Sequence, residues 1–131
     1  RNKVIMIGVR SFSLDERTEA GREGADMIFR EEVEDKKKIS GLLQKIRGKK
    51  VYISIDMDVF DPSIAPGVGT PQPNGLYYGE ILSILRQIIG RSSLVGADVN
   101  EVRPLNDDKS TEILAAKLVQ DMISMNERKL R

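Results

Sequence analysis

The chain contains no cysteine, no histidine and no tryptophan among its 131 residues. Without cysteine it can form neither disulfide bonds nor thiolate metal sites. Without histidine it lacks an imidazole ligand, a histidine general base and a Ser-His-Asp triad. No apolar stretch reaches the length of a membrane span and no signal peptide is visible, so we expect a cytoplasmic protein without a membrane partner.

Neither sign of charge is in excess, since 21 Lys and Arg residues are balanced by 20 Asp and Glu residues. The resulting net charge of +1 gives no reason to expect a nucleic-acid partner. Apolar residues make up 40% and charged residues 31% of the chain, which is ordinary for a globular domain. We therefore treat residues 1–131 as one domain. Because the chain starts with Arg1 and reaches an apolar, strand-like run at Val4, we expect a piece of a longer protein.

Short apolar runs alternate along the chain with segments whose apolar residues recur at helical spacing. The pattern predicts strands at 4–9, 27–29, 51–55 and 93–99, and helices at about 13–24, 33–46, 77–89 and from 110 onward. Gly48 and Gly90 are the predicted stops of the second and third helices. The first run is apolar at every position, which is typical of a strand buried on both faces. Alternating strands and helices favour an α/β fold with a parallel sheet.

Two aspartates, Asp56 and Asp58, stand at the end of the third predicted strand. Alternation along a strand would point both carboxylates the same way and Met57 the opposite way. Two adjacent carboxylates repel each other unless a cation lies between them, and hard divalent cations prefer oxygen ligands. The pattern therefore predicts a cation site, although an Asp-X-Asp can also serve as a turn or a helix cap.

Glu101 follows the fourth predicted strand and falls at the same sheet edge, where parallel α/β sheets bind ligands. Taken alone, Glu101 could equally be an ordinary loop acid. Asp61 precedes a proline, and an Asx-type turn that shapes the loop is the favoured interpretation. Asp98 lies within the fourth strand and is interpreted as structural. The loop at 57–75 contains four prolines and three glycines, which excludes a regular element there.

The segment after the third strand resembles the signature of the ureohydrolase family, which includes agmatinases and arginases. The matching positions are Ser54, Ile55, Asp56, Met57, Asp58, Pro62, Pro66, Gly67 and Gly75. Residues 7–10, 96–104 and 110–118 resemble further segments of the family, and residues 65–71 favour its agmatinase branch. The similarity covers nearly the whole chain but only about the C-terminal half of the family's domain. The resemblance thus implies part of an arginase-like three-layer αβα fold, with a parallel sheet of about four strands.

The resemblance also implies a function: hydrolysis of a guanidino compound such as agmatine to an amine and urea, at a centre of two manganese ions. By their matching positions, Asp56 and Asp58 would be metal ligands. Glu101 would bind the guanidinium group and act in catalysis. Thr70 falls in the loop beside it and would contact the substrate. A homo-oligomer is expected as well.

The chain also departs from the family's pattern. The family's other metal-binding motifs lie in an N-terminal half that is absent here, so two carboxylates alone should bind manganese weakly. Asn74 replaces a usual glycine, and Arg103 stands where a small or amide residue is common. A second hypothesis therefore stays open: a stand-alone remnant, a self-associating α/β module without ureohydrolase activity, whose exposed strand edge would invite pairing with another chain.

Overall fold

The computed structural model of the protein describes residues 3–130, apart from the side chain of Leu130, so Arg1 lies outside the described residues. Strands and helices alternate as the sequence predicts. The strands are β1 (Ile5–Val9), β2 (Asp26–Phe29), β3 (Lys50–Asp56) and β4 (Ser93–Asn100), and the helices are α1 (Leu14–Glu23), α2 (Lys36–Ile46), α3 (Tyr78–Arg91) and α4 (Ser110–Leu130). Two single 3-10 turns follow β2 and β3, at Arg30–Glu32 and Met57–Val59.

Local capping explains where the first two helices begin. Ser13 caps α1 through a reciprocal pair of hydrogen bonds with Glu16, and Gly24 ends it in a left-handed conformation. Helix α2 begins three residues later than predicted because the Asp35 carboxylate accepts the backbone N–H groups of Lys37 at 2.8 Å and Lys38 at 3.3 Å.

The predicted stop of α3 at Gly90 is wrong. The helix runs through Gly90 to Arg91, and the backbone N–H of Ser92 still bonds to the carbonyl of Ile88. A Cβ at residue 90 would meet no atom within 4 Å, so the glycine is neither needed for space nor placed in a conformation that ends a helix.

The four strands form two separate parallel pairs, β1 with β2 and β3 with β4. The α/β class, the strand number and the parallel pairing are confirmed, and the described residues contain no ladder that joins the two pairs. The predicted burial of β1 on both faces is wrong, because Val4 is 54% and Met6 39% exposed. Val4 and Met6 are two residues apart and therefore lie on the same face of the strand, which is the exposed one.

Helices α2, α3 and α4 pack in series and share one apolar core with Ile53 and Ile55 of β3. Helix α1 lies apart from them and buries no residue. It reaches β2 through the Phe29 ring, whose centroid lies 5.1 Å from the centroid of Phe12 and 5.1 Å from the guanidinium carbon of Arg17. Within residues 3–130, no helix combines the length and apolar character that crossing a membrane requires.

Candidate functional site

Strand β3 ends at Asp56, and the chain turns at once into the 3-10 turn that contains Asp58. The Asp56 carboxylate accepts the backbone N–H of Asp58 at 2.8 Å and so caps this turn. Met57 is completely buried. The expected strand alternation across Asp58 is wrong, however, because the backbone leaves the extended conformation after Asp56. The Asp56 carboxylate caps the turn that follows it, and this hydrogen bond to the Asp58 N–H competes with continuation of the strand.

The Asp58 carboxylate is held by Thr70 on the long loop. The backbone N–H of Thr70 lies 3.3 Å from Oδ1 and 3.2 Å from Oδ2 of Asp58, and the Thr70 hydroxyl donates to Oδ2 as well. Hydrogen bonds to an ionised acceptor are stronger than neutral ones. Thr70 therefore fixes the orientation of Asp58, and the two predicted site residues are in direct contact.

Glu101 joins this cluster from the end of β4. Its backbone adopts a left-handed conformation with φ of 59°, which turns the chain sharply after Asn100. The Glu101 Oε2 atom lies 2.9 Å from the position that a Cβ would take on Gly69, so the carboxylate rests against the residue before Thr70. Thr70 thus contacts Asp58 and Glu101 reaches the adjacent Gly69, all at one edge of the β3–β4 pair.

The loop that carries Thr70 is anchored at both ends. At one end the Gly67 N–H donates to the buried hydroxyl of Thr111 at 2.8 Å, which ties the loop to the start of α4. At the other end the Asp61 carboxylate accepts the Ser63 N–H at 3.0 Å, the Ser63 hydroxyl at 2.6 Å and the Gly75 N–H at 3.1 Å. The Ser63 bonds lower the pKa of Asp61. The Asx-type turn predicted at Asp61 is confirmed.

Arg10 supports the same turn, and sequence reasoning assigned it no role. It follows β1 directly, and its guanidinium donates to the carbonyl oxygens of Asp58, Phe60 and Gln72, the last at 3.0 Å. Burial lowers the pKa of Arg10 from its ordinary value, against the opposing effect of Asp58. The only sequence signal for Arg10 was its position in segment 7–10, which resembles a segment of the family. Its hydrogen-bond partners are far away in the sequence and give no local signal.

A polar network covers the exposed face of the β3–β4 pair beside the site. The Tyr52 hydroxyl donates to Asp98 at 2.6 Å, the Ser54 hydroxyl donates to Asp98 at 2.8 Å, and the Asn100 amide donates to Ser54 at 3.0 Å. The Tyr52 bond, followed by the Ser54 bond, lowers the pKa of Asp98. These partners were missed, although the alternation of 52, 54 and 56 with 96, 98 and 100 could have revealed the shared face.

The donor chemistry of the site suits a hard divalent cation. Asp56 and Asp58 present carboxylate oxygens, which manganese and magnesium accept as ligands, and each carboxylate has acceptor capacity beyond its present hydrogen bonds. The part of the chain that the structure describes contains no group of three or more His, Cys, Asp or Glu side chains that could hold a metal. The two aspartates therefore fit part of a metal site, and further ligands would have to come from other residues.

A family model described as the arginase family matches residues 1–124. A mitochondrial arginase from Medicago truncatula is 37% identical over 123 residues, which cover 92% of this chain and 36% of that protein. Proclavaminate amidinohydrolase from Streptomyces clavuligerus is 39% identical over 117 residues, with coverages of 88% and 33%.

Among solved structures, the agmatine ureohydrolase of Thermoplasma volcanium superposes with a TM-score of 0.79 at 35% identity. The match covers 95% of this chain and 42% of that one. These similarities confirm the predicted arginase-like fold. The chain spans between a third and somewhat more than two fifths of the length of these relatives.

Proposed function

This chain belongs to the arginase family of ureohydrolases, and on that premise we propose that it forms part of the active site of an enzyme that releases urea from a linear guanidino compound. The observation that carries the proposal is the contact of Thr70 with Asp58, next to Glu101 at Gly69, at the carboxyl edge of β3 and β4. Ligands of parallel α/β sheets bind at this edge. This arrangement supports the proposal, because a pair of carboxylates suits a cation and a separate carboxylate suits a guanidinium group.

Asp56 and Asp58 would hold manganese in this proposal. The bound metal would lower the pKa of a water molecule and stabilise the negative charge that develops on attack. Thr70 keeps Asp58 oriented through its N–H and hydroxyl. Arg10 donates to the backbone carbonyl of Asp58, so both the backbone and the side chain of Asp58 are held by hydrogen bonds.

Glu101 would bind the substrate's guanidinium group. A carboxylate can accept two parallel N–H bonds from a planar guanidinium, which both binds and orients it. Its left-handed backbone and its contact with Gly69 restrict where this carboxylate can lie. We propose agmatine as the substrate because residues 65–71 favour the agmatinase branch. The similarity to the agmatine ureohydrolase of Thermoplasma volcanium is consistent with agmatine as the substrate. The similarities to an arginase and to proclavaminate amidinohydrolase represent the alternative substrates.

A chimera tests the proposal directly. The matching 42% of the Thermoplasma volcanium agmatine ureohydrolase would be replaced by this chain, and urea release from agmatine would be measured with added manganese. We expect activity in the chimera and a loss of roughly 100-fold or more on Asp58→Asn, since even indirect perturbation of a metal ligand costs 10–100-fold. Arginine, assayed in parallel, distinguishes the substrate branches.

Asp107→Asn serves as the matched control, because Asp107 is exposed and stands outside the cluster. It should leave urea release unchanged. Full activity in the Asp58→Asn chimera would contradict the ligand assignment. A folded chimera without any urea release would instead favour the non-catalytic α/β module.

A further inference from the structure

Arg103 lies two residues after Glu101, on the segment that follows β4. Between them, Val102 packs against the hydrophobic core, whereas Glu101 and Arg103 are both exposed. Val102 also forms an antiparallel bridge with Val68, on the loop that carries Thr70. Both charged side chains therefore project away from the core, next to this loop.

The backbone of Arg103 is held against the same loop. Its N–H donates to the carbonyl of Gly67 at 2.8 Å, and the Gly67 N–H donates in turn to the buried hydroxyl of Thr111. A Cβ on Gly67 would lie 2.6 Å from the carbonyl oxygen of Arg103, so the two backbones are in close contact. Because Glu101 meets the loop at Gly69, one stretch of chain fixes the positions of both charged residues.

The Arg103 guanidinium has no partner in the described part of the chain, where it forms neither an ion pair nor a hydrogen bond. By contrast, Lys109 on the same connection pairs with Glu112 at 3.2 Å. Arg103 also does not pair with Glu101, although the Cα atoms of residues two positions apart are separated by at most about 7 Å. Two opposite charges therefore stay available for a ligand beside the candidate site.

A ligand with a guanidinium group at one end and a carboxylate at the other complements these two charges. Glu101 can accept two parallel N–H bonds from the guanidinium group, and Arg103 can donate two to the carboxylate. A guanidino acid with three methylene groups, when extended, holds its two charged carbon atoms about 6 Å apart. This length is comparable to the separation of the two residues. Agmatine carries a positive charge at its far end instead, which Arg103 would repel.

We propose that Arg103 is a specificity-determining residue, which binds the carboxylate at the far end of a guanidino acid. This inference rests on the proposed function and adds short guanidino acids to agmatine as substrates of the same site. Arg103 attracts the carboxylate and repels the ammonium group of agmatine, so it sets the ratio in which the two compounds are used. Because Arg103 is exposed, solvent and salt limit each effect to several-fold.

Two substrates of matched shape provide the test. These are agmatine and 4-guanidinobutyrate, which carries a carboxylate in place of the aminomethyl group of agmatine. In the chimera, Arg103→Gln should lower the ratio of kcat/KM for 4-guanidinobutyrate to kcat/KM for agmatine about tenfold, because the lost attraction and the lost repulsion multiply. The change should appear mainly in KM, since Arg103 contacts the unreactive end of the substrate. It should also shrink at high salt concentration.

Two further variants separate the charge from its geometry and its position. Arg103→Lys keeps the charge but loses the planar fork, so it should retain only part of the preference for 4-guanidinobutyrate. Arg47→Gln is the matched control, because Arg47 is exposed and precedes the amino end of β3, opposite to the candidate site. This control should leave the ratio unchanged.

Binding can also be measured without the reaction. The isotope-labelled chain is titrated with each compound, and the side-chain Nε–H signal of Arg103 is followed by NMR. 4-Guanidinobutyrate should shift this signal, whereas agmatine should leave it in place. Arg103→Gln should raise several-fold the concentration of 4-guanidinobutyrate at which the backbone N–H of Glu101 responds.

An unchanged kcat/KM ratio in the Arg103→Gln chimera would overturn the proposal. An Arg103 signal that responds equally to the two compounds would overturn it as well. A folded chimera that releases urea from neither compound would contradict the proposed function instead, and the NMR titration would then decide the role of Arg103 by itself.

Discussion

At the scale of single residues, close backbone approach determines which side chains the long loop accepts. A Cβ on Gly75 would lie 2.2 Å from the carbonyl carbon of Phe60 and 2.2 Å from the nitrogen of Asp61. The crowding arises because the next residue, Leu76, bonds on both sides, to Val59 at 2.9 Å and Asp61 at 3.1 Å. Asn74, which replaces the family's usual glycine, has a φ of 61°. Asparagine tolerates this left-handed conformation better than most residues, so an asparagine in place of the usual glycine adds little backbone strain.

Gly75→Ala should destabilise the protein by about 3 kcal/mol or more, since the backbone at Phe60 has to move to admit one methyl group. The matched control is Gly41→Ala in α2, where a Cβ meets no atom within 4 Å. That change should stabilise the protein by about 0.5–1 kcal/mol, because alanine favours a helix over glycine. Urea denaturation followed by circular dichroism measures both. Equal effects of the two substitutions would contradict the crowding at Gly75.

Arg10→Lys should lower the free energy of unfolding by about 1–3 kcal/mol, although the charge is kept. A lysine cannot span the carbonyls of Asp58, Phe60 and Gln72 that the planar guanidinium bonds together. Arg22→Lys, on the exposed last turn of α1, should be neutral within about 0.5 kcal/mol. The denaturation midpoints of the two variants are compared. An Arg10→Lys midpoint as high as that of the control would contradict the stabilising role of the Arg10 hydrogen bonds.

At the scale of elements, a side-chain hydrogen bond between Tyr78 and Asp121 connects α3 to α4. The Tyr78 hydroxyl donates to the carboxylate of Asp121, which also accepts from Lys117 at 2.7 Å. Burial, followed by the bond to Asp121, raises the pKa of Tyr78 to about 12. Lys117, followed by Tyr78, lowers the pKa of Asp121. The two helices therefore hold the phenol neutral and the carboxylate charged.

This contact predicts how stability changes at alkaline pH. In the unfolded chain Tyr78 should ionise near its ordinary pKa of about 10. Its folded pKa is higher, so its contribution is fully present below pH 10 and is lost as the pH rises towards about 12. Below pH 10, the Tyr78→Phe variant should have a lower free energy of unfolding than the unsubstituted chain. This difference should shrink as the pH rises from 10 towards about 12. Urea denaturation at a series of pH values measures it, and a difference that is independent of pH would argue against the raised pKa.

Element positions were largely predictable because their signals are local. Ser13 and Gly24 act within a turn of the helix they bound, so their effect can be read from neighbouring residues. Gly90 shows the limit of such signals, since packing along α3 carries the helix past a residue with a weak helical preference. The burial of β1 also could not be predicted from its apolar run, because burial depends on what lies next to the strand.

At the scale of the whole molecule, the sequence predicts at which edge of the sheet the candidate site lies, but not which of its residues are in contact. The rule that ligands bind at strand carboxyl ends placed Asp56, Asp58 and Glu101 together, and the structure brings Thr70 to Asp58. The bonds of Arg10 join residues 48 and more positions apart. Contacts of this kind follow from the path of the loop in space, which no local pattern encodes.

The division into two strand pairs was likewise beyond the sequence pattern. Apolar periodicity identifies strands and favours parallel pairing, but it contains no information on which edges meet. The roles assigned by family resemblance to Asp56, Asp58, Thr70 and Glu101 stay predictions until the chimera is assayed.

Both ladders join strands that follow one another along the chain with a single helix between them. Closing these connections, 16 residues in the first ladder and 36 in the second, costs entropy before the parallel contacts form, so such pairing is intrinsically slow. Residues 50–101 carry all four candidate site residues, and their strand pairing requires neither β1 nor β2. In a refolding experiment, the candidate site is therefore expected to assemble after the local helices, since it needs this parallel ladder to form first.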